Sequence, residues 1–148
     1  MRVIVLAVVG LLTSAGVSAD RSGALPCAPT DPEIAQPPDD PKADPFPKGP
    51  WYINVDRTLW AGWDAANLRE GSNKVLWIRP KGTQLEVTGR HLGSESSRLV
   101  AHIPCCYPST FQATGLTFPR AGCWEVKAKA GSSELTFVTL VKRAKDRK

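Results

Sequence analysis

The stretch that decides the fold is RAGCWEVKAKAGSSELTFVTLV, residues 120–141. In an extended strand, successive side chains point to opposite faces. One face therefore carries Trp124, Val126 and Ala128, and the other carries Cys123, Glu125 and Lys127. The turn residues Gly131-Ser132-Ser133 then lead into the apolar run 134–141. The segment predicts an antiparallel hairpin with one buried face.

Upstream of this hairpin, short apolar-rich runs follow one another from Trp51 onwards, separated by Gly, Pro, Ser and Asn. The candidate strands are WYINV (51–55), LWAGW (59–63), KVLWI (74–78), QLEVT (84–88), RLVAHI (98–103) and TGLTF (114–118). Seven or eight short strands at this spacing, with little helical periodicity, are typical of an all-β sandwich. We therefore predict an antiparallel β-sandwich over residues 51–141.

The start of the 123–130 strand supports a more specific prediction. An aromatic residue just after an Ala-Gly corner, with a buried residue two positions further on, is typical of the penultimate strand of an immunoglobulin-like sandwich. Trp124 takes the place of the corner tyrosine in such domains, and Val126 takes the place of the second cysteine of antibody domains. The predicted fold is thus immunoglobulin-like.

The ending GLTFPRAGCWEVKAKAGSSELTFVTLV (115–141) also resembles a group of uncharacterised secreted bacterial proteins. In these proteins a Gly-Leu-x-Phe-Pro segment runs into Gly-Cys-Trp-Glu-Val and then into a Leu-x-Phe-Val strand. The stretch LEVTGRHLG (85–93) is similar to their middle section. The resemblance implies an immunoglobulin-like fold and export, and it brings no substrate and no catalytic residue.

The first 19 residues have the pattern of a secretory signal peptide. Arg2 precedes an apolar run from Val3 to Val17, and small residues allow cleavage after Ala19. The run of about 15 apolar residues is shorter than a membrane span requires, and no later run is longer. We predict a secreted or periplasmic protein without a transmembrane segment in its mature chain, in a compartment that permits disulfides.

Two segments flank the predicted sandwich. Residues 20–50 form a Pro-rich arm, since nine of the 13 prolines lie between Pro26 and Pro50, and we predict that it is extended or disordered. Residues 142–148 form a basic tail with five Lys or Arg, which accounts for much of the net charge of +5. A solvated terminus is the ordinary use of such a tail. Because the chain is predicted to be exported, no nucleic-acid partner is expected.

The four cysteines are candidates for two disulfides: Cys27, Cys105, Cys106 and Cys123. A Cys105–Cys106 bond is discounted, because a cis peptide bond there would cost about 3 kcal/mol. Strand alternation favours Cys106–Cys123, which leaves Cys105 for Cys27, although prolines at 104 and 108 can break this alternation. Soft-metal binding of copper or zinc through Cys105, Cys106 and His102 is the alternative. Without a Cys-x-x-Cys spacing we predict no metal and no cofactor.

No catalytic constellation is apparent. His91 and His102 are the only histidines, neither lies near a Gly-x-Ser-x-Gly elbow, and there is no Gly-rich phosphate loop. His91 is expected in an exposed turn and His102 on the polar side of a strand. Nothing indicates that Asp56 and Asp64 converge at the separation that glycosidases need. We therefore predict that the protein is not an enzyme.

Five tryptophans in one small domain leave a binding role open. A carbohydrate- or cell-wall-binding module would use Trp60 and Trp63 as an exposed platform, with Asp64 beside them. Filling the core is the commoner use of such residues. The leading prediction is an exported, non-catalytic interaction or structural module whose ligand is unknown, with a cell-surface polysaccharide or protein as possible partner.

Overall fold

The computed structural model describes residues 27–40, 45–46, 48–62, 65, 67–105 and 107–144. These residues form nine strands and contain no helix. The strands are β1 (Glu33–Ala35), β2 (Gly49–Ile53), β3 (Trp60–Gly62), β4 (Gly71–Ile78), β5 (Leu85–His91), β6 (Val100–His102), β7 (Phe111–Phe118), β8 (Gly122–Ala130) and β9 (Ser133–Val141). All pairings are antiparallel, and the predicted all-β class is confirmed.

The strands form two sheets. One has six strands in the order β1-β2-β3-β4-β7-β6, and the other has three in the order β5-β8-β9. Every predicted strand appears, and no strand end differs from its predicted position by more than three residues. The predicted hairpin is the β8–β9 pair, whose register runs from Gly122↔Val141 to Ala130↔Ser133. Gly131 turns it with a φ of +61°, a conformation that glycine adopts without steric cost.

The main core lies between the two sheets. As the alternation predicts, Trp124, Val126 and Ala128 are buried there. Trp77 of β4 is fully buried and donates from Nε1 to Oγ1 of Thr114 at 2.9 Å. Burial of an indole N–H requires such a partner, since an unpaired donor in the core is costly. The core therefore combines apolar packing with a buried hydrogen bond that satisfies the indole N–H.

The Pro-rich arm, predicted to be extended or disordered, packs on the sandwich over residues 27–40. β1 pairs with β2, which places the arm on the edge of the six-stranded sheet. Thr30 exchanges two hydrogen bonds with Val138 of β9, at 2.8 and 3.0 Å. Asp40 accepts bonds from the amide and the hydroxyl of Thr110. The arm is extended over these residues, and it connects one sheet to the other.

A second, smaller core lies on the outer face of the six-stranded sheet. It contains Ala35, Trp51, Trp60 and Ile78, with Phe46 packed against it. The rings of Trp51 and Trp60 meet edge to face with centroids 6.0 Å apart. The arm supplies Ala35 and Phe46, so it covers aromatic surface that a sandwich without it would expose.

Several predictions fall on residues that are not described. The signal peptide, its cleavage after Ala19 and the first residues of the arm lie within 1–26, and the end of the basic tail lies within 145–148. The tail is anchored at its start, since Lys142 pairs with Arg69. No helix among the described residues has the length and apolarity that a membrane crossing requires.

Candidate functional site

The structure corrects the predicted disulfide pairing. Cys27 is bonded to Cys123, with their Cα atoms 5.5 Å apart. Cys106–Cys123 and Cys27–Cys105 are therefore both wrong as pairs. Cys123 does lie on the outer side of β8, as predicted, but the arm runs past that side and presents Cys27 to it. Cys105 is disulfide-bonded as well, and Cys106 lies outside the described residues.

The alternative metal site loses a ligand in this structure. A disulfide-bonded sulfur is not a thiolate, and the thiolate is the form that binds soft metals. Cys105 therefore cannot bind copper or zinc in its bonded state. His102 lies on the edge strand β6 with an exposed side chain. Within the part of the chain that the structure describes, no three His, Cys, Asp or Glu side chains are grouped as a metal would require.

The tryptophan platform is not supported at Trp60. This side chain is 2% exposed, and its Nε1 donates to the carbonyl of Arg57 at 2.8 Å. The guanidinium of Arg57 also lies 4.9 Å from the Trp60 ring centroid. Trp60 is thus a core residue, which is the commoner role that the sequence analysis considered. Trp63 and Asp64 lie outside the described residues.

The contacts of His91 indicate a structural role. It ends β5 rather than lying in an exposed turn, and its ring packs edge-on against Trp124. Nδ1 accepts a bond from the amide of Gly93 at 3.0 Å, so Nε2 carries the proton and donates to the carbonyl of Ala121 at 3.1 Å. Both ring nitrogens are occupied. His91 is therefore held as a brace between the end of β5 and the turn before β8.

A cleft of about 770 Å³ lies where the chain passes from one sheet to the other. Beyond β5, residues 97–99 pair back along its second half: Leu99 donates to the carbonyl of Gly89 at 3.0 Å, and His91 donates to that of Ser97 at 3.3 Å. The chain then leaves β5 and pairs with β7 as β6. This fork opens the cleft.

Register defines the two walls of the cleft. Gly89 opposes Leu99, and in an antiparallel pair each step back along one strand is matched by a step forward along the other. Continued pairing would place Val87 opposite Ala101 and Leu85 opposite Ile103. Instead Ala101 pairs with Leu116 of β7, and both it and Ile103 line the cleft opposite β5. The cleft lies between β5 and residues 101–103, where pairing along β5 is interrupted.

Backbone groups of β5 point into this gap. In an antiparallel ladder the N–H and C=O of alternate residues face the same side. Gly89 and His91 face the 97–99 segment, whereas Leu92 faces β8 and donates to the carbonyl of Cys123 at 2.8 Å. By this alternation, the main-chain groups of Leu85 and Val87 point away from β8 and into the cleft. No described residue pairs with them there, and they form a short free sheet edge.

The cleft also contains a buried cation. Arg79, which follows β4, is 4% exposed and lines the cleft. Its guanidinium donates to the carbonyls of Pro80 and Tyr107, at 3.2 and 3.1 Å, and more distantly to Gln112 Oε1 at 3.5 Å. Its Nε has no hydrogen-bond partner. Burial lowers the pKa of Arg79 from its usual value.

Within the described ranges, every contact of that guanidinium is to a neutral group. The ion pairs among the described residues use other cations: Arg57, Arg90, Lys127 and Lys129. Sequence reasoning missed Arg79 because an arginine after an apolar strand ordinarily reaches solvent. The only signal was its place between the buried run KVLWI and the turn at Pro80. The packing of Tyr107 and Gln112 around it cannot be derived from that pattern.

Comparison with known proteins leaves this geometry as the basis for assigning a function. No protein-family model matches the chain. No curated protein matches it either.

Proposed function

We propose that the protein is an exported, non-catalytic interaction module with an immunoglobulin-like sandwich. The order β3-β4-β7-β6 opposite β5-β8-β9 supports this fold, because it corresponds to strands A-B-E-D opposite C-F-G of a seven-stranded immunoglobulin domain. Trp124 adds support, since its Nε1 donates at 3.0 Å to the carbonyl of Arg120 four residues upstream. A corner tyrosine makes a bond of this kind.

Two observations support export. The first 19 residues have the pattern of a cleavable signal peptide. The Cys27–Cys123 disulfide is stable in oxidising compartments and rare where thiols are kept reduced. Together they favour a secreted or periplasmic protein.

The function that the geometry supports best is binding a short extended peptide segment in the cleft. One observation supports this proposal most strongly. The free edge at Leu85 and Val87 borders the cleft, and an added strand would lie in that cleft. A peptide added there would pair with main-chain groups of β5, which is how sheet edges bind extended partners. Side chains of Ala101, Ile103 and Tyr107 would contact its side chains.

A cleft-filling variant tests this proposal. Ala101→Phe puts a ring into the cleft, and Val100→Phe is the matched control, because the neighbouring Val100 is 65% exposed on the other side of the same strand. The probe is an array of synthetic ten-residue peptides of varied sequence, presented with free carboxyl ends and as amides. We expect a subset of peptides to bind the wild type and Val100→Phe with equal affinity. Binding to Ala101→Phe should fall by about tenfold or more.

A second pair of variants tests the main-chain part of the proposal. Val87→Pro removes an N–H that faces the cleft and not β8, and proline is tolerated at such an edge position. Val87→Ala shortens the side chain and keeps the N–H. Selective loss of peptide binding in Val87→Pro supports strand addition. The proposal is overturned if no peptide in the array binds, or if bound peptides are unaffected by filling the cleft.

A further inference from the structure

We infer that the segment bound in the cleft is the end of a chain and that its terminal carboxylate pairs with Arg79. The inference rests on the proposed binding of a peptide along β5. It adds the chemistry of the ligand: a free C-terminus, recognised by a buried guanidinium.

The free edge of β5 is short. Residues 97–99 already occupy β5 at Gly89 and His91, so only Leu85 and Val87 are left to pair with an added strand. Such an edge accommodates about three or four residues of a partner. A strand that continued along β5 would run into the 97–99 segment. The partner segment is therefore short, and a chain end supplies such a segment without a second flanking stretch.

Arg79 places a buried positive charge at the cleft. A cation that is 96% buried is costly unless an anion is paired with it, and among the described residues this guanidinium contacts only carbonyl and amide oxygens. Its Nε is buried without a hydrogen-bond partner in the same part of the chain, which adds to that cost. Arginine presents a planar set of donors that matches a carboxylate. The ligand that completes this site is therefore an anion.

The charge of Arg79 distinguishes between the two ends of a peptide. Arg79 lines the cleft, so a terminal charge bound there interacts with its guanidinium, and desolvation strengthens the interaction. An N-terminal ammonium would be repelled by the guanidinium and a C-terminal carboxylate attracted. Ile103, Pro104 and Tyr107 line the same cleft and suit an apolar side chain on the last residue. The expected ligand is a peptide with an apolar residue at a free C-terminus.

The experiment compares each array peptide as a free acid and as the C-terminal amide, using the wild-type protein first. We expect the acids to bind about tenfold or more tightly than the matching amides, and this preference to weaken at high salt. Equal affinity of acids and amides overturns the inference while leaving peptide binding in the cleft intact. Absence of binding by either form overturns the proposed function, and this inference with it.

Two variants assign the preference to Arg79. Arg79→Met removes the charge and keeps an apolar stem of similar reach, so acids and amides should bind it alike. Arg79→Lys keeps the charge without the planar donor set and should retain part of the preference. Thermal unfolding shows whether each variant is folded. The inference is also overturned if the acid preference persists in folded Arg79→Met, or if amidated peptides with internal Asp or Glu bind as tightly as free acids.

Discussion

Cys27 is bonded to Cys123 across 96 positions of the chain, and this bond fixes the N-terminal arm to the outer side of β8. Three residues later, Thr30 bonds to Val138 on the neighbouring strand β9. The arm then crosses to the other sheet and forms β1. One covalent contact therefore supports an element that closes the edges of both sheets and covers the second core.

The double variant Cys27→Ser/Cys123→Ser should lose a large part of the folding stability. In the loop-entropy model a cross-link that closes about 96 residues stabilises by about 4 to 5 kcal/mol, mainly by restricting the unfolded chain. Urea unfolding of the variant and the wild type measures the difference. Ser132→Ala, in the exposed turn between β8 and β9, is the control and should change stability by less than about 0.5 kcal/mol. A double variant as stable as the wild type would show that the arm is held without the bond.

Gly62→Ala should destabilise the protein by about 1 to 3 kcal/mol or more, because it overpacks the second core. A Cβ at Gly62 would lie 2.0 Å from Cε3 of Trp51, so the indole ring must move. Gly115→Ala is a matched control in the same sheet. A Cβ at Gly115 would lie 3.7 Å from the Cβ of His102, which is an ordinary contact distance. We expect the control to be neutral or slightly stabilising. Equal urea midpoints for the two variants would contradict this packing.

Thr114→Val should cost about 1 to 3 kcal/mol, although the two side chains have nearly the same shape. The change leaves Trp77 Nε1–H buried without its acceptor, which lies 2.9 Å away in the wild type. Thr117→Val makes the same substitution on the opposite face of β7, where the side chain is only partly buried. Chemical denaturation measures both variants. If they prove equally mild, the Trp77 bond contributes little to stability.

Glu125 should make stability fall on acidification. Its hydrogen bond from Arg90, at 2.9 Å, lowers the pKa of Glu125 below 4.5, partial burial opposes the shift, and Lys127 adds to it. Because the folded-state pKa is the lower one, the contribution is complete above pH 4.5 and is lost as the pH falls through the folded-state value. Glu125→Gln should be less stable than the wild type at pH 7 and should converge with it in acid.

Urea midpoints between pH 7 and pH 3 measure this convergence. Arg90→Gln should flatten the pH profile in the same way, and the double variant should add little to either single change. A gap between wild type and Glu125→Gln that stays constant over this range would exclude the proposed linkage.

Some of this architecture follows from local sequence pattern. The alternation in CWEVKAKA decides which face of β8 is buried, because side-chain direction in a strand has a period of two whatever lies nearby. The turn at Gly131 and the apolar run after it determine the last hairpin for the same reason. Even the arm is extended as its prolines require, since proline restricts its own φ and the conformation of the residue before it.

The disulfide pairing was not available from pattern. Cys27 meets Cys123 because Thr30 anchors the arm on β9, and that contact joins residues 108 positions apart. Alternation along the 98–103 strand does not extend through Pro104 to the cysteines beyond it. Cysteine spacing alone allows three pairings and selects none of them.

The sequence by itself determined strands β2 to β9, the buried face of β8 and the all-β class, since each depends on residues within a few positions of one another. Only the tertiary structure decided that the chain leaves β5 at Leu99, that Leu85 and Val87 keep an unpaired edge, and that Arg79 is buried beside it. Those features depend on how distant segments meet, and a guanidinium has neither burial nor partners until the surrounding strands have packed.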